Sequence, residues 1–126
     1  MIALALLLET AALPTRTPIA TLPIAPAKTV DRVETTRVDF APAQAMPAHY
    51  HTVPVVCFVA QGSFEVSIGD APVRIVSEGE TTLEPAGTVV HYFRNRSTTA
   101  PARLLCASLA GHDDHQLNVM LDPAHR

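Results

Sequence analysis

Residues 55–68 read VVCFVAQGSFEVSI, two short apolar runs separated by Gly62. In the second run Phe64, Val66 and Ile68 alternate with polar residues, so an extended chain places all three on one face. Short runs of β-branched and aromatic residues are typical of strands. The stretch therefore predicts two neighbouring strands, the second with an apolar face and a polar face.

The same pattern extends in both directions from this stretch. Apolar runs occupy residues 33–40, 55–61, 63–68, 73–77, 81–83, 89–95, 102–109 and 117–121. All five glycines lie between these runs or at their ends, where turns favour glycine. No amphipathic run of helical length is present. Eight short strands in one domain predict an all-β fold, either an antiparallel barrel or a jelly roll.

Composition narrows the classes of function. The chain has 126 residues, enough for one domain with a modest core, and 17% of them are charged. The formal net charge is -3, with nine Lys and Arg residues, so the basic face of a nucleic-acid binder is not expected. Two cysteines, Cys57 and Cys106, do not make a disulfide framework, and the sequence leaves a single bridge open.

The first 27 residues are predicted to be an N-terminal arm outside the barrel domain of residues 28–126. Residues 1–8, MIALALLL, are too short to span a bilayer. They resemble the apolar part of a secretory signal, with Ala25-Pro26-Ala27 as a cleavage site. The alternative is a Pro-rich arm that packs on the barrel or on a second subunit. Location therefore stays open: periplasmic or secreted if the arm is a signal, otherwise cytoplasmic.

Three histidines lie within the strand pattern. His49 and His51 are two residues apart, so both side chains project from the same face if that stretch is extended. His91 follows forty residues later, after Pro85-Ala86-Gly87 and inside another run. Two imidazoles on one face and a third on a distant strand predict a metal site inside a barrel, with Fe, Zn, Mn, Ni or Cu as the divalent ion.

The spacing of these residues resembles the two conserved motifs of the cupin superfamily. The first motif has His-x-His, usually a Glu, and then a Gly, and here His49-Tyr50-His51 is followed by Gly62. The second has a Gly, five residues, Pro-x-Gly, a His and an Asn four positions later. Here it runs from Gly79 through Pro85 to His91 and Asn95. The resemblance implies a small single-domain cupin, a β-barrel of the double-stranded β-helix kind.

Two departures from the cupin motifs change the expected site. Val55 stands where the first motif usually has Glu, and three residues rather than two separate Gly87 from His91. The resemblance then implies a three-histidine site on His49, His51 and His91, as in some cupin dioxygenases. A carboxylate from elsewhere stays an alternative, and Glu84, beside the second motif, is the nearest candidate.

The predicted cavity is apolar and suits a small organic molecule. Strand alternation and nearness to the histidines select its walls: Val53, Val55, Cys57, Val59, Tyr92 and Phe93. For Cys57 a role as a small core residue is preferred to a role at the metal. The first hypothesis for function is a metal-dependent, dioxygenase-like enzyme. The second is a non-catalytic barrel that binds or senses a small ligand. Small cupins commonly form dimers, so a homodimer is expected.

Overall fold

Strands form where the apolar runs predict them, with small shifts at their ends. The computed structural model describes Leu4 and residues 12–121. Its strands are β1 Arg32–Phe40, β2 Ala45–Met46, β3 His49–His51, β4 Val55–Gln61, β5 Ser63–Ile68, β6 Arg74–Ser77, β7 Thr81–Glu84, β8 Val90–Asn95, β9 Ala102–Ala110 and β10 Asn118–Met120. The two shortest of the early strands, β2 and β3, are not separate runs in the sequence pattern.

The strands form two antiparallel sheets. One sheet has the order β1-β9-β4-β7, and the other has the order β10-β3-β8-β5-β6, with β2 paired to β8. The chain changes sheet at seven of its connections: β1–β2, β3–β4, β4–β5, β6–β7, β7–β8, β8–β9 and β9–β10. Such exchange between two facing sheets is the jelly-roll arrangement. The prediction of an all-β, cupin-type jelly roll is confirmed.

The space between the sheets contains the apolar core. Phe40, Phe64 and Phe93 come from β1, β5 and β8, and each is at most 3% exposed. The Phe64 ring lies 4.9 Å from the Phe40 ring and 5.0 Å from the Phe93 ring, both edge to face. Edge-to-face aromatic pairs stabilise a core beyond their buried area. Two members of this aromatic cluster, Phe40 and Phe93, also line the interior cavity described below.

The two cysteines join the middle of the four-stranded sheet. Cys57 in β4 is paired with Cys106 in β9, and the two form a disulfide. Cys57 is 2% exposed, so it faces the interior as alternation predicts. The sequence predicted a small core residue at Cys57 and left its redox state open, and the β4–β9 register decides that state by placing the second thiol directly opposite the first.

The described part of the N-terminal arm, residues 12–27, has no regular secondary structure. Leu13 and Ile19 are 90% and 64% exposed. The arm approaches the barrel at Lys28, whose ammonium contacts the Asp114 carboxylate at 2.5 Å. Apart from Leu4, residues 1–8 of the predicted leader lie outside the described residues. Among the described residues, no helix has the length and apolarity that a membrane crossing requires.

Candidate metal centre

Two histidines and one glutamate lie together in the wall of the interior cavity. His49 and His51 belong to β3 in the six-stranded sheet, and Glu84 ends β7 in the four-stranded sheet. One possible ligand atom from each residue lies within 4.8 Å of the others. All three residues are buried, at 6%, 9% and 3% exposure. The group therefore spans the two sheets.

Local backbone geometry explains why both imidazoles point inward. β3 is extended, so residues two apart share a face, as the sequence predicts. Tyr50, between them, is only half-buried. The Gly87 amide donates a hydrogen bond of 2.7 Å to the His51 carbonyl and so fixes the β7–β8 turn against β3. Gly87 adopts φ +75°, a conformation that glycine accepts readily.

Each imidazole is oriented by a hydrogen bond on its Nδ1 atom. His49 Nδ1 lies 2.7 Å from the Pro47 carbonyl oxygen, and His51 Nδ1 lies 2.5 Å from Asn118 Oδ1. Both oxygens only accept, so both Nδ1 atoms donate. The two Nε2 atoms then face the cavity as the remaining ring nitrogens. Metal-binding histidines are typically held in this way by an outer oxygen, which fixes both the tautomer and the ring orientation.

Glu84 contacts the second histidine directly. Its Oε2 atom forms an ion pair with His51 Nε2 when the imidazole is protonated. Burial alone would lower the pKa of His51, but the hydrogen bond and charge of Glu84 outweigh it, and the pKa of His51 is raised. The Asn118 contact acts in the same direction. The negative charge of Glu84 therefore stabilises positive charge at this point of the cavity, which also suits a cation bound there.

The structure does not confirm the three-histidine set, because His91 lies away from this group. His91 is exposed, and its Nε2 atom is 3.2 Å from the Gly69 carbonyl oxygen. Alternation from the buried Phe93 and Asn95 would turn His91 inward. The pairing register between β5 and β8 shifts by one residue between Ser67 and Ile68. His91 is therefore an extra, unpaired residue in β8, and its side chain points outward instead.

The irregularity puts Val90 on the inner face in place of His91. Val90 is 0% exposed and pairs with His49. It is also the position three residues after Gly87 where the usual motif has its histidine. The extra residue noted in the second motif is therefore the residue that the strand irregularity turns outward.

The cavity has a volume of about 220 Å³. Of the side chains predicted to form its walls, Val55, Cys57 and Phe93 line it. Val53 and Val59 are buried but do not line it. The prediction that Tyr92 lines the cavity was wrong. Its hydroxyl donates a hydrogen bond of 2.8 Å to the Glu65 carboxylate on the other face of the sheet. The remaining walls, which sequence reasoning missed, are Thr36, Val38, Phe40, Met46, Leu104, Cys106, Ser108, Asn118 and Met120.

Comparison with known families agrees with the fold and the position of the site. Residues 36–108, more than half of the chain, match the family model of the cupin domain. The chain belongs to the cupin family. Both histidines of the candidate metal centre and Glu84 lie within the matched part. No curated protein sequence matches this cupin.

Solved structures similar to this cupin include enzymes and proteins of unknown function. An oxalate oxidase in complex with the substrate analogue glycolate is 26% identical, with a TM-score of 0.61, over 71% of this chain and 46% of its own. A DMSP lyase from Ruegeria pomeroyi is 19% identical, with a TM-score of 0.60, over 72% and 44% of the two chains.

A third similar structure is close to this cupin in length. It is an uncharacterized conserved protein with a double-stranded β-helix domain from Klebsiella pneumoniae, 18% identical, with a TM-score of 0.60, over 76% and 79% of the two chains. This cupin spans less than half of the oxalate oxidase and of the DMSP lyase. The relatives below 25% identity show the fold alone.

Proposed function

We propose that this cupin holds a divalent metal ion on His49, His51 and Glu84 and uses it to bind and oxidise a small organic molecule. The observation that carries the proposal is the convergence of two imidazoles and a carboxylate on one cavity wall, with ligand atoms within 4.8 Å of one another. Three buried, titratable side chains at the edge of an apolar cavity are a typical binding-site arrangement.

The donor set fits a transition metal. Two histidines and one carboxylate form the facial triad of non-haem Fe(II) oxygenases, and the same three residue types bind zinc in hydrolytic enzymes. When bound, such an ion acts as a Lewis acid for substrate oxygens and, in the case of iron, supplies redox chemistry with dioxygen. Three protein ligands leave coordination positions open for substrate, so the set favours a catalytic site over a closed structural one.

The residues of the chain have separate tasks in this proposal. His49 and His51 present Nε2 to the ion, because Pro47 and Asn118 hold their Nδ1 atoms. Glu84 adds one negative charge and orients His51. The apolar walls lower the effective dielectric constant next to the ligands, which strengthens the electrostatic interactions there.

The similar solved structures support an enzymatic role for such a cavity. The support comes from an oxalate oxidase at 26% identity, whereas an oxalate decarboxylase from Bacillus subtilis, at 18% identity, shows the shared fold alone. Their substrates are not transferred to this cupin, because it spans 46% and 24% of those chains.

One contact favours a second candidate, a non-catalytic barrel that binds a small ligand without metal. Glu84 and His51 satisfy each other directly, so the buried carboxylate has a partner in the absence of an ion. A barrel of this kind would bind a ligand in the cavity without catalysing a reaction. Metal content distinguishes the two candidates.

The test is the metal content of protein purified without a His-tag, measured by mass spectrometry for wild type, His49→Ala/His51→Ala and Glu84→Gln. His91→Ala is the matched control, because it removes an imidazole outside the group. We expect near-stoichiometric metal in wild type and His91→Ala, loss in the double variant and reduced content in Glu84→Gln. Oxygen uptake by the iron-loaded protein then tests oxidation. Absence of metal after reconstitution with Fe, Zn, Mn, Ni and Cu would leave the ligand-binding barrel.

We also propose a homodimer built on the outer face of the four-stranded sheet. Phe58 and Leu105 are cross-strand neighbours there and are 44% and 46% exposed. Leu13 and Ile19 in the arm are also exposed, so one chain has two uncovered apolar surfaces. Adjacent exposed apolar residues mark interaction surfaces. Sedimentation of Phe58→Ser/Leu105→Ser against wild type tests this, and an unchanged mass would contradict it.

Finally, we propose export to an oxidising compartment. The Cys57–Cys106 disulfide supports this, because such bonds persist in the periplasm or outside the cell and are rare in the cytosol. Fractionation of cells that express the untagged chain, with thiol labelling of each fraction, tests it. Reduced protein confined to the cytosol would contradict the proposal.

A further inference from the structure

We infer that the cavity binds a compact, largely apolar molecule that carries one negative charge and two oxygen donors, and that it discriminates against dianions such as oxalate. The inference rests on the proposed function, since the oxygen donors need a metal on His49, His51 and Glu84. It adds the charge and the size of the substrate, which the ligand set alone does not determine.

The volume of the cavity limits the size of the ligand. At about 220 Å³ it is somewhat larger than the ~150 Å³ engineered cavity that accommodates benzene. One six- or seven-membered ring with small substituents, or a branched chain of similar bulk, therefore fills it.

The walls of the cavity are polar on one side and apolar on the other. The polar side carries His49, His51 and Glu84, and the neutral polar side chains of Thr36, Ser108 and Asn118 also line the cavity. The other walls include Val38 and Phe40 from β1, Phe93 from β8 and Leu104 from β9. A ligand with its oxygens at the metal therefore places most of its remaining surface against hydrocarbon.

None of the side chains that line the cavity in the described part of the chain is Lys or Arg. The nearby arginines are engaged on outer faces instead. Arg103 donates a hydrogen bond of 2.7 Å to the Asp39 carboxylate across the β1–β9 pair. Arg94 lies over the Tyr92 ring at 4.7 Å and is 3.8 Å from Glu65. Among the described residues, no Lys or Arg side chain is thus placed to neutralise a second carboxylate inside the cavity.

The net charge of the metal centre determines the preferred charge of the ligand. A divalent ion with two neutral imidazoles and the Glu84 carboxylate carries a net charge of +1. A monoanion neutralises this centre, whereas a dianion leaves one uncompensated negative charge next to hydrocarbon. Burial of an unpaired charge is costly because solvation is lost without a replacement partner. The cavity therefore favours the monoanion.

The experiment uses cobalt-loaded protein and two probes, tropolone and oxalate. Tropolone is a single aromatic ring that binds metals as a monoanion through two oxygens, and oxalate binds through two oxygens as a dianion. Affinities are measured by calorimetry, with the cobalt absorption spectrum as a second readout. Each affinity is divided by that of the same probe for cobalt in buffer. We expect a normalised preference for tropolone of about tenfold or more, the effect of one unpaired charged group.

Val38→Arg tests whether the missing cation is the cause, and Val38→Met is the matched control because it adds length without charge. We expect the arginine to shift the probe ratio towards oxalate by about tenfold. The methionine should leave the ratio unchanged.

Oxalate preference in wild type, or an unchanged ratio in a folded Val38→Arg protein, would overturn the inference. Cobalt binding without binding of either probe would also overturn it, while the metal-site proposal stands. Failure to bind cobalt would refute the metal site itself and, with it, this inference. Because the wild-type comparison is decisive alone, a misfolded variant does not remove the test.

Discussion

Glu84 lies directly opposite Val55 in the antiparallel pair of β7 and β4, and both side chains line the same cavity. Val55 is the position at which the first cupin motif usually has its carboxylate. The neighbouring strand therefore brings a carboxylate to the part of the cavity where that of the motif is missing. Cross-strand neighbours have Cβ atoms only about 5 Å apart, so a glutamate on either strand reaches the same region.

This pairing predicts that the carboxylate can be exchanged between the two strands. Glu84→Val should lower metal affinity by more than the roughly 10–100-fold that loss of an outer hydrogen-bond partner costs. Val55→Glu/Glu84→Val should recover much of the loss, because it returns one carboxylate to the same wall. Calorimetric titration with Zn(II) measures both. A double variant no better than Glu84→Val would show that only the β7 position directs the carboxylate to the histidines.

Asn118 is predicted to be a positioning residue for His51. Its Oδ1 atom accepts from His51 Nδ1 at 2.5 Å, and β10 pairs with β3 at that position. Asn118→Ala should lower metal affinity about 10–100-fold, because the ring then loses its fixed tautomer and orientation. Asn118→Asp is the control, since it keeps an acceptor oxygen there and should retain most of the affinity. Equal affinity in the alanine variant and wild type would remove Asn118 from the site.

The disulfide is predicted to contribute substantially to the stability of the domain. It joins residues 49 apart in sequence, so it shortens the loops available to the unfolded chain. Cys57→Ala/Cys106→Ala should lower the free energy of unfolding by about 2–4 kcal/mol. Urea unfolding followed by circular dichroism measures the loss.

Reduction of the wild type provides the control for that variant. Wild type in excess dithiol should unfold near the midpoint of the double-alanine variant, since both lack the cross-link. The alanine variant itself should not respond to dithiol. Identical midpoints for oxidised and reduced wild type would contradict a stabilising role for the bond.

The contact between Lys28 and Asp114 predicts a pH-dependent term in stability. Hydrogen bonds from the Lys28 ammonium and the Gly111 amide hold the pKa of Asp114 below its usual value of 3.8. A lowered folded-state pKa means that this term is fully present above the pKa of the unfolded chain. It is then lost as pH falls through the folded-state value. Asp114→Asn should therefore melt below wild type at pH 7. The difference between the two melting temperatures should shrink as pH falls below 3.8 and vanish once pH is below the lowered folded-state pKa of Asp114.

The matched control for the pH term is Asp113→Asn, which removes a neighbouring carboxylate. Asp113 has no hydrogen bond or ion pair among the contacts of the described residues. The melting temperature of the Asp113→Asn variant should equal that of wild type at every pH. A melting difference between Asp114→Asn and wild type that persists unchanged in acid would assign the effect to lost packing rather than to charge.

The strand pattern and the inward direction of His49 and His51 could be predicted from the sequence alone. Both depend on the alternation of an extended chain, a property of neighbouring residues that needs no partner strand. Glycine and proline marked the turns for the same local reason. These features, with the spacing of the two motifs, were enough to predict the all-β cupin fold.

Contacts between strands far apart in sequence decided the rest of the site. The strand irregularity at His91 depends on the register between β5 and β8, and a shift of one residue exchanges the faces of a strand. The positions of Glu84 opposite Val55, and of Asn118 beside His51, follow from pairing of β4 with β7 and of β3 with β10. Alternation along one strand contains no information about register with another, so the sequence offered Glu84 only as an alternative to His91, and the tertiary structure decided which of the two joins the candidate metal centre.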